Sequence, residues 1–358
     1  MPTATPPRVV VADDSALMRR IVSNLLTRGG VEVVGSAKNG DEALAMCERE
    51  SPDAMTLDLA MPGLGGIDVL RALRRRGGPP LPVVVVSAFS PTAGARAVDA
   101  LAEGAFELVP KPSGSGDVEA FEQNLLNKIR LALKSGPRSR TSNGPPRPAN
   151  GAPRPANGAP RPAPRHQPPK RLSQVLLIAT STGGPRALAA LMPGLPSPLG
   201  VGTMIVQHMP SGFTASLAAR LDRTSPLSVR EASGGERLEP GVALVAPGGR
   251  HLRLGADGQT LLSDEAPIGG LRPRADLLIE DAARQYRERL LLVVLTGMGN
   301  DGLRGAREVR RNGGRILTEA AETCTVYGMP RAIAEAGLSD DELPLDQMPR
   351  AIAQEMRR

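Results

Sequence analysis

Short apolar runs alternate with helical segments along most of this 358-residue chain, and each run stops abruptly at polar residues. The first part of the chain has five such strand–helix units, with strands predicted at 8–12, 31–37, 54–57, 82–86 and 106–109. Strands that alternate with helices pair in parallel, because each helix carries the chain back to the same end of the sheet. The pattern therefore predicts an α/β fold with a doubly wound, mainly parallel sheet.

The later part of the chain repeats this alternation, which predicts a second α/β domain. Its apolar strands are expected at 176–180, 202–206, 241–246, 289–295 and 315–317. Most of these strands end in glycine-rich or polar turns that open a helix, so this sheet should also be mainly parallel.

The segment 135–172 differs from both flanks because it is rich in proline and arginine, and it contains PRPANGA twice in succession. Proline removes backbone donors and favours an extended chain, so this segment cannot bury a core. We expect a disordered, semi-rigid linker, whose alternative role would be an electrostatic tether to an acidic partner or a membrane surface. The sequence thus predicts a domain at 1–134, the linker, and a domain at 173–358.

The net charge of +7 suggests nucleic-acid binding until it is divided among these regions. Residues 1–134 carry 15 basic and 16 acidic side chains, and residues 173–358 carry 21 of each. The linker carries eight basic side chains and no acidic one. The chain also has no Trp and no helix-turn-helix pattern, so neither domain is predicted to bind nucleic acid.

Five polar side chains follow predicted strands of the first domain: Asp13, Asp14, Asp58, Ser87 and Lys111. Open parallel sheets bind ligands at this edge, and three crowded carboxylates require a hard cation such as Mg²⁺. A carboxylate beside Mg²⁺ can attack a phosphoryl group, and Lys111 and Ser87 are suited to bind the phosphoryl oxygens. Each residue alone is more simply a solvated loop residue, but their order at four strand ends favours a phosphorylation site.

Three polar side chains follow predicted strands of the second domain: Ser181, His208 and Asp301. A serine hydroxyl needs a base to become nucleophilic, and a histidine base needs an acid that fixes its tautomer. The sequence therefore predicts a hydrolase with these three residues at one sheet edge. His251 is a second candidate base, and Thr182 is a second candidate hydroxyl.

Two other interpretations of these segments remain open at this stage. Ser181 or Thr182 could cap the helix that opens at the following Gly-Gly-Pro turn. The segment 297–302 also matches the dinucleotide fingerprint GxGxxG, and Glu319 ends the next strand. Two features disfavour a dinucleotide site: the motif lies late in its domain, and Asp301 would stand where pyrophosphate binds.

The motifs DD, TLDLAMPGLGGID, VVVVSA and VPKP resemble those of response-regulator receiver domains. The resemblance implies a flavodoxin-like fold in which Asp58 accepts the phosphoryl group. It also implies that Asp14 and Asp58, with the Ala60 carbonyl, hold Mg²⁺ and that Asp13 supports this site. Leu108 stands where receivers often have an aromatic switch residue, so the usual aromatic rotamer switch is not expected here.

The motifs ATSTGGP, VQHMPSGFT, VAPGGRH and LTGMGNDG resemble the catalytic domain of the chemotaxis protein-glutamate methylesterase family (CheB), over about residues 175–350. The resemblance implies a Rossmann-like three-layer domain in which Ser181 is the nucleophile, His208 the general base and Asp301 the orienting acid. The Met298 backbone N–H, in the glycine-rich turn, is the candidate oxyanion donor.

The same resemblance implies a phosphorylation-activated hydrolase of a two-component system. It would remove methyl groups from glutamate methyl esters on methyl-accepting chemotaxis receptors and deamidate receptor glutamines, in chemotactic adaptation. The receptors would be its substrates and a sensor histidine kinase its phosphodonor, and the esterase would need no cofactor. The lack of an apolar leader or membrane span, with two distant cysteines, predicts a cytoplasmic protein that is not an integral membrane protein.

Overall fold

The computed structural model describes residues 5–76, 80–88, 91–112, 118–135 and 174–357. The first sheet has five strands: β1 (Arg8–Ala12), β2 (Glu32–Ala37), β3 (Ala54–Leu57), β4 (Val83–Ser87) and β5 (Glu107–Pro110). The helices are α1 (Ala16–Arg28), α2 (Gly40–Glu50), α3 (Gly66–Arg75), α4 (Pro91–Ala102) and α5 (Val118–Ser135). The strand order is β2-β1-β3-β4-β5, and every pair is parallel.

Helices cover both faces of this first sheet. Apolar side chains of α1 and α5 share one core with alternate residues of β1 and β4, such as Val9 and Val84. Side chains of α2, α3 and α4 pack on the opposite face, against Val10 and Val85. The inner strands β1, β3 and β4 are buried on both faces and are therefore largely apolar, as expected for a parallel sheet. Polar caps fix two helix starts: Ser15 accepts from the Met18 N–H, and Asn39 caps α2 in the same way.

The second part of the chain forms nine strands. These are β6 (Val175–Thr180), β7 (Gly202–Gln207), β8 (Ser228–Glu231), β9 (Val242–Val245), β10 (His251–Leu254), β11 (Thr260–Ser263), β12 (Leu290–Val294), β13 (Arg315–Glu319) and β14 (Asp341–Leu343). Seven of them form a parallel sheet in the order β14-β13-β12-β6-β7-β9-β8, whereas β10 and β11 form a separate antiparallel hairpin.

Six α-helices accompany these strands: α6 (Gly184–Leu191), α7 (Phe213–Asp222), α8 (Ala275–Tyr286), α9 (Leu303–Arg311), α10 (Met329–Glu335) and α11 (Met348–Glu355). Successive residues of β12 point into different cores. Leu292 packs with side chains of α8, α9 and α10, whereas Val293 packs with those of α6, α7 and α11. The result is three layers, helix on sheet on helix.

The prediction of two doubly wound, mainly parallel α/β sheets is confirmed, and the predicted strands lie within two residues of the observed ones. The sequence did not reveal the edge strands β8 and β14, because their charged, largely exposed residues form no apolar run. The hairpin of β10 and β11 was missed as well. The linker prediction at 135–172 lies outside the described residues, apart from Ser135 at the end of α5.

The two sheets are connected through helices that pack against each other. Ala97 and Val98 of α4 belong to the same apolar cluster as Phe213 and Leu217 of α7. At the edge of this contact, Asp99 and Arg220 form an ion pair. Among the helices that the structure describes, none has the length and apolar character needed to cross a membrane.

Truncation of a buried side chain in β12 should destabilise the second sheet. Leu292 is fully buried in β12, so Leu292→Ala removes core contacts and leaves a cavity. We expect the free energy of unfolding to fall by about 2–5 kcal/mol in urea titrations followed by circular dichroism. The matched control is Leu261→Ala on β11, where the leucine is 50% exposed and the change should be below about 0.5 kcal/mol. Equal losses in the two variants would contradict the assignment of β12 to the core.

Candidate functional site

Ser181 directly follows β6, at the edge of the second sheet where the strands end. Its backbone N–H donates to the Thr296 carbonyl over 3.0 Å, and its carbonyl accepts from Gln207 Nε2 at 2.9 Å. Thr296 and Gln207 lie at the ends of the two strands beside β6. The two neighbouring strands therefore hold the backbone of Ser181 from both sides. The residue is buried, with 8% of its surface exposed.

His208 and Asp301 are in direct contact at the same sheet edge. His208 follows β7, and its Nε2 lies 2.7 Å from Asp301 Oδ2. An ionised carboxylate can only accept a hydrogen bond, so Nε2 must carry a proton, and in the neutral imidazole Nδ1 then carries the lone pair. Nδ1 is buried and has no hydrogen-bond partner among the described residues. The ring is thus presented in the tautomer that a general base requires.

The carboxylate of Asp301 is fully buried, yet the surrounding hydrogen bonds favour its charged form. Three backbone N–H groups within 2.9 Å donate to it, those of Ala275, Asp276 and Gly302. Burial raises the pKa of Asp301, but the hydrogen bond from His208 and the backbone donors outweigh burial and lower the pKa to about 2. Asp301 is therefore ionised near neutral pH and available to pair with a protonated histidine.

The glycine-rich turn after β12 passes very close to Ser181. A Cβ atom on Gly297 would lie 2.8 Å from the Ser181 Cβ, so only glycine allows this approach. Met298 is the next residue, and its side chain is largely exposed. The turn thus brings the backbone of the candidate oxyanion residue to the side of the candidate nucleophile.

The interpretation of Ser181 or Thr182 as a helix cap is wrong. The N-cap of α6 is Gly183, which has φ = 81° and makes no side-chain cap. A Cβ there would lie 2.4 Å from the Thr325 side chain, so both backbone conformation and space require glycine. The Thr182 hydroxyl instead donates to Glu107 Oε2, at the start of β5, over 2.7 Å.

His251 and Glu319 have structural roles in this fold. His251 is fully buried, its Nδ1 accepts from the Arg274 backbone N–H at 3.1 Å, and its Nε2 lies 3.3 Å from the Ala266 carbonyl. Both ring nitrogens are therefore engaged by the backbone, which disfavours His251 as a base. Glu319 is also fully buried, and it accepts from the Thr296 N–H, so it is not placed to bind a ribose as a dinucleotide site would need.

The five polar residues predicted for the first sheet converge at its edge. Carboxylate oxygens of Asp13, Asp14 and Asp58 all lie within 4.8 Å of one another. Lys111 Nζ lies 2.8 Å from a carboxylate oxygen of Asp13 and 2.9 Å from one of Asp58. The backbone N–H of Lys111 donates to the backbone carbonyl of the buried Ser87. An all-oxygen donor set at this spacing fits a hard cation such as Mg²⁺.

Three residues that support the second site were missed from the sequence: Gln207, Arg274 and Asp276. Gln207 directly precedes His208, and its side-chain amide bridges the carbonyls of Ser181 and His208. Its position at the end of an apolar strand was a usable signal. Arg274 and Asp276 both contact Asp301, but they lie on a segment whose sequence gives no sign of it.

Both halves of the chain match known protein families. Residues 9–121 match the response regulator receiver domain, and residues 176–352 match the CheB methylesterase. A protein-glutamate methylesterase/protein-glutamine glutaminase of Symbiobacterium thermophilum is 40% identical over 97% of this chain and 96% of that protein. The protein with that description in Thermotoga maritima is 37% identical over 96% of this chain and 97% of its own length.

A solved structure agrees with these matches. The crystal structure of the Thermotoga maritima CheB methylesterase catalytic domain is 42% identical, with a TM-score of 0.50, and covers 51% of this chain and 98% of that chain. A receiver combined with a hydrolase-type site defines the class, a response regulator with an enzymatic output. Within that class, the chain belongs to the CheB family of protein-glutamate methylesterases.

The low pKa of Asp301 predicts a pH-dependent contribution to stability. A carboxyl whose pKa falls from 3.8 to about 2 on folding stabilises the fold above pH 3.8, and this stabilisation is lost as the pH falls toward 2. The difference in unfolding free energy between wild type and Asp301→Asn should therefore shrink by about 1 kcal/mol from pH 6 to pH 3, in urea titrations. The control is Asp346→Asn, at an exposed position, which should show no such change. A difference that grows at pH 3 would contradict the ionised state of Asp301.

Proposed function

We propose that this chain is a phosphorylation-activated protein-glutamate methylesterase and glutaminase of the cytoplasm. A receiver domain at 1–134 would regulate an esterase domain at 173–358, and methylated chemotaxis receptors would be the substrates. The observation that carries this proposal is the 2.7 Å contact between His208 and Asp301, at the edge where Ser181 lies. It leaves Nδ1 with no hydrogen-bond partner among the residues that the structure describes.

The first half of the reaction forms an acyl-enzyme. The Ser181 hydroxyl attacks the γ-carbonyl carbon of a glutamate methyl ester, and His208 Nδ1 takes the hydroxyl proton. Asp301 stays ionised and stabilises the imidazolium that forms. The Met298 backbone N–H donates to the carbonyl oxygen as it becomes an oxyanion, and such a donor is worth about 3 kcal/mol of barrier.

The second half restores the enzyme. Methanol leaves with the proton held by His208, and a water molecule then attacks the acyl carbon while His208 takes its proton. Collapse of this second intermediate breaks the bond to the Ser181 oxygen, which takes the proton back from His208, and glutamate is released. A glutamine side chain would follow the same route with ammonia as the leaving group, which accounts for both activities in one site.

The acidic edge of the first sheet would receive the regulatory phosphoryl group. Asp58 is the proposed acceptor, and a sensor histidine kinase the donor. Asp13, Asp14 and Asp58 would hold Mg²⁺, which when bound neutralises charge on phosphoryl oxygens. Lys111 and Ser87 would bind the oxygens of the acyl phosphate that forms on Asp58.

Strand β5 connects this edge to the esterase. Lys111, which contacts Asp58, follows β5 at its end, whereas Glu107, which accepts from Thr182, begins it. Thr182 is the neighbour of Ser181, so the receiver lies beside the nucleophile. We infer that the unphosphorylated receiver restricts access to the esterase groove and that phosphorylation of Asp58 releases it.

Loss of the Ser181 hydroxyl should abolish hydrolysis. In Ser181→Ala, methanol release from methylated receptors should fall by at least about a thousandfold, because the adjacent Thr182 hydroxyl is engaged by Glu107 and does not replace the nucleophile. Thr182→Ala is the matched control, since it removes the adjacent hydroxyl and should keep the esterase active. Substantial activity in Ser181→Ala would contradict the proposed nucleophile.

Activation should depend on the Asp58 carboxylate. With a small-molecule phosphodonor and Mg²⁺, methanol release by the wild type should rise several-fold, and Asp58→Asn should keep only the basal rate. EDTA should suppress the rise in the wild type, since the carboxylates alone would not bind the phosphoryl group. Asp68→Asn, at an exposed position of α3, is the control and should be activated normally. Full activation of Asp58→Asn would place the acceptor elsewhere.

A further inference from the structure

A second buried carboxylate lies beside Asp301. Asp276, in the first turn of α8, is 2% exposed. Its Oδ1 accepts from the backbone N–H groups of Gly302 and Gly305, each at 2.9 Å, at the start of α9. Asp276 therefore holds the helix that directly follows Asp301.

The contact between α8 and α9 is reciprocal. Asp301, just before α9, accepts from the N–H groups of Ala275 and Asp276 at the start of α8. Asp276, in α8, accepts from N–H groups at the start of α9. Helix N-termini carry unpaired N–H donors and partial positive charge, so each helix start is satisfied by the carboxylate of the other. The orientation of Asp301 is thus coupled to that of Asp276.

Arg274 joins the two carboxylates. Its Nη2 donates a hydrogen bond to Asp276 Oδ2 at 2.8 Å. Its Nε lies 2.9 Å from Asp301 Oδ1 without forming a hydrogen bond among the described residues, so this second contact is an ion pair only. Two buried anions this close would repel each other. The guanidinium is always charged, and its side chain is only 16% exposed, so its field acts on both carboxylates with little screening. The Arg274 backbone N–H is fixed in turn by His251.

We propose that Arg274 and Asp276 are positioning residues of the esterase, which keep the Asp301 carboxylate directed at His208. This inference rests on the proposed role of Asp301 in hydrolysis. Asp276 is buried and its oxygens are occupied by Arg274 and α9, so it acts through Asp301 and not on the substrate. The three residues form one unit. Each carboxylate accepts hydrogen bonds from backbone N–H groups at the start of the other helix, and the guanidinium offsets the negative charge of both.

If Arg274 acts by offsetting the charge of the two carboxylates, a result is expected that a merely structural role of Arg274 does not predict. Arg274→Met leaves two buried carboxylates without their cation, so their repulsion displaces the Asp301 carboxylate from its orientation toward His208. Adding Asp276→Asn removes the second anion, while the Asn carbonyl can still accept from the start of α9. The second substitution should therefore repair the first, whereas two structural lesions in contact would not restore turnover.

The test measures kcat and KM for methanol release from methylated receptors, with the full chain at neutral pH. We expect kcat of Arg274→Met to fall about 10- to 100-fold with KM unchanged, because misplacement of a catalytic group impairs the chemical step. The double variant Arg274→Met/Asp276→Asn should recover at least about half of this loss on a logarithmic scale. Arg274→Lys keeps a cation and should stay closer to wild type than Arg274→Met.

Two results would overturn the inference: wild-type kcat in Arg274→Met, or a double variant slower than the single one. If thermal melting shows that Arg274→Met does not fold, Asp276→Asn alone is decisive. Its new amide group faces the guanidinium, so kcat should fall with KM unchanged, and an unchanged kcat contradicts the proposal. Ser181→Ala is assayed in parallel: an active Ser181→Ala defeats the proposed function itself, whereas an inactive one with unimpaired Arg274→Met defeats only this inference.

Discussion

The hydrogen bond between His208 and Asp301 depends on the parallel order of the second sheet. The strand order β12-β6-β7 places Ser181 at the end of the middle strand, with His208 following one neighbour and Asp301 in the turn after the other. Parallel strands all end at the same edge, so three residues far apart in the chain lie at that edge. A 2.7 Å contact then fixes the histidine tautomer, and the buried donors around Asp301 keep that carboxylate charged.

The shared direction of parallel strands also assembles the acidic edge of the first sheet. One short strand, β5, connects this edge to the second sheet. Lys111 reaches the carboxylates from one end of β5, and Glu107 reaches Thr182 from the other. Apolar packing of α4 on α7 holds the two sheets together. A change at the acidic edge therefore has a direct structural route to the residue next to Ser181, which is the physical basis of the regulation that we propose.

The sequence predicted what is encoded locally. An apolar run and the polar residue that ends it lie within ten positions, so the strands and the residues Ser181, His208 and Asp301 could all be found in the printed chain. The cap of α6 was predicted wrongly, because the need for Gly183 arises from the approach of Thr325, far along the chain. Arg274 and Asp276 were missed for the same reason: their function lies in contacts between α8 and α9 that no local pattern reports.

Covalent labelling is the most direct test of Ser181 as the nucleophile, because it identifies the activated hydroxyl without the need for a receptor. The full chain is treated with a fluorophosphonate, which reacts with serines that a neighbouring base activates, and the labelled peptide is sequenced by mass spectrometry. We expect one label on Ser181 in the wild type, and we expect this label to be lost in His208→Ala under the same conditions. A label on Thr182, or equal labelling of Ser181 in His208→Ala, would contradict a nucleophile activated by the His208–Asp301 pair.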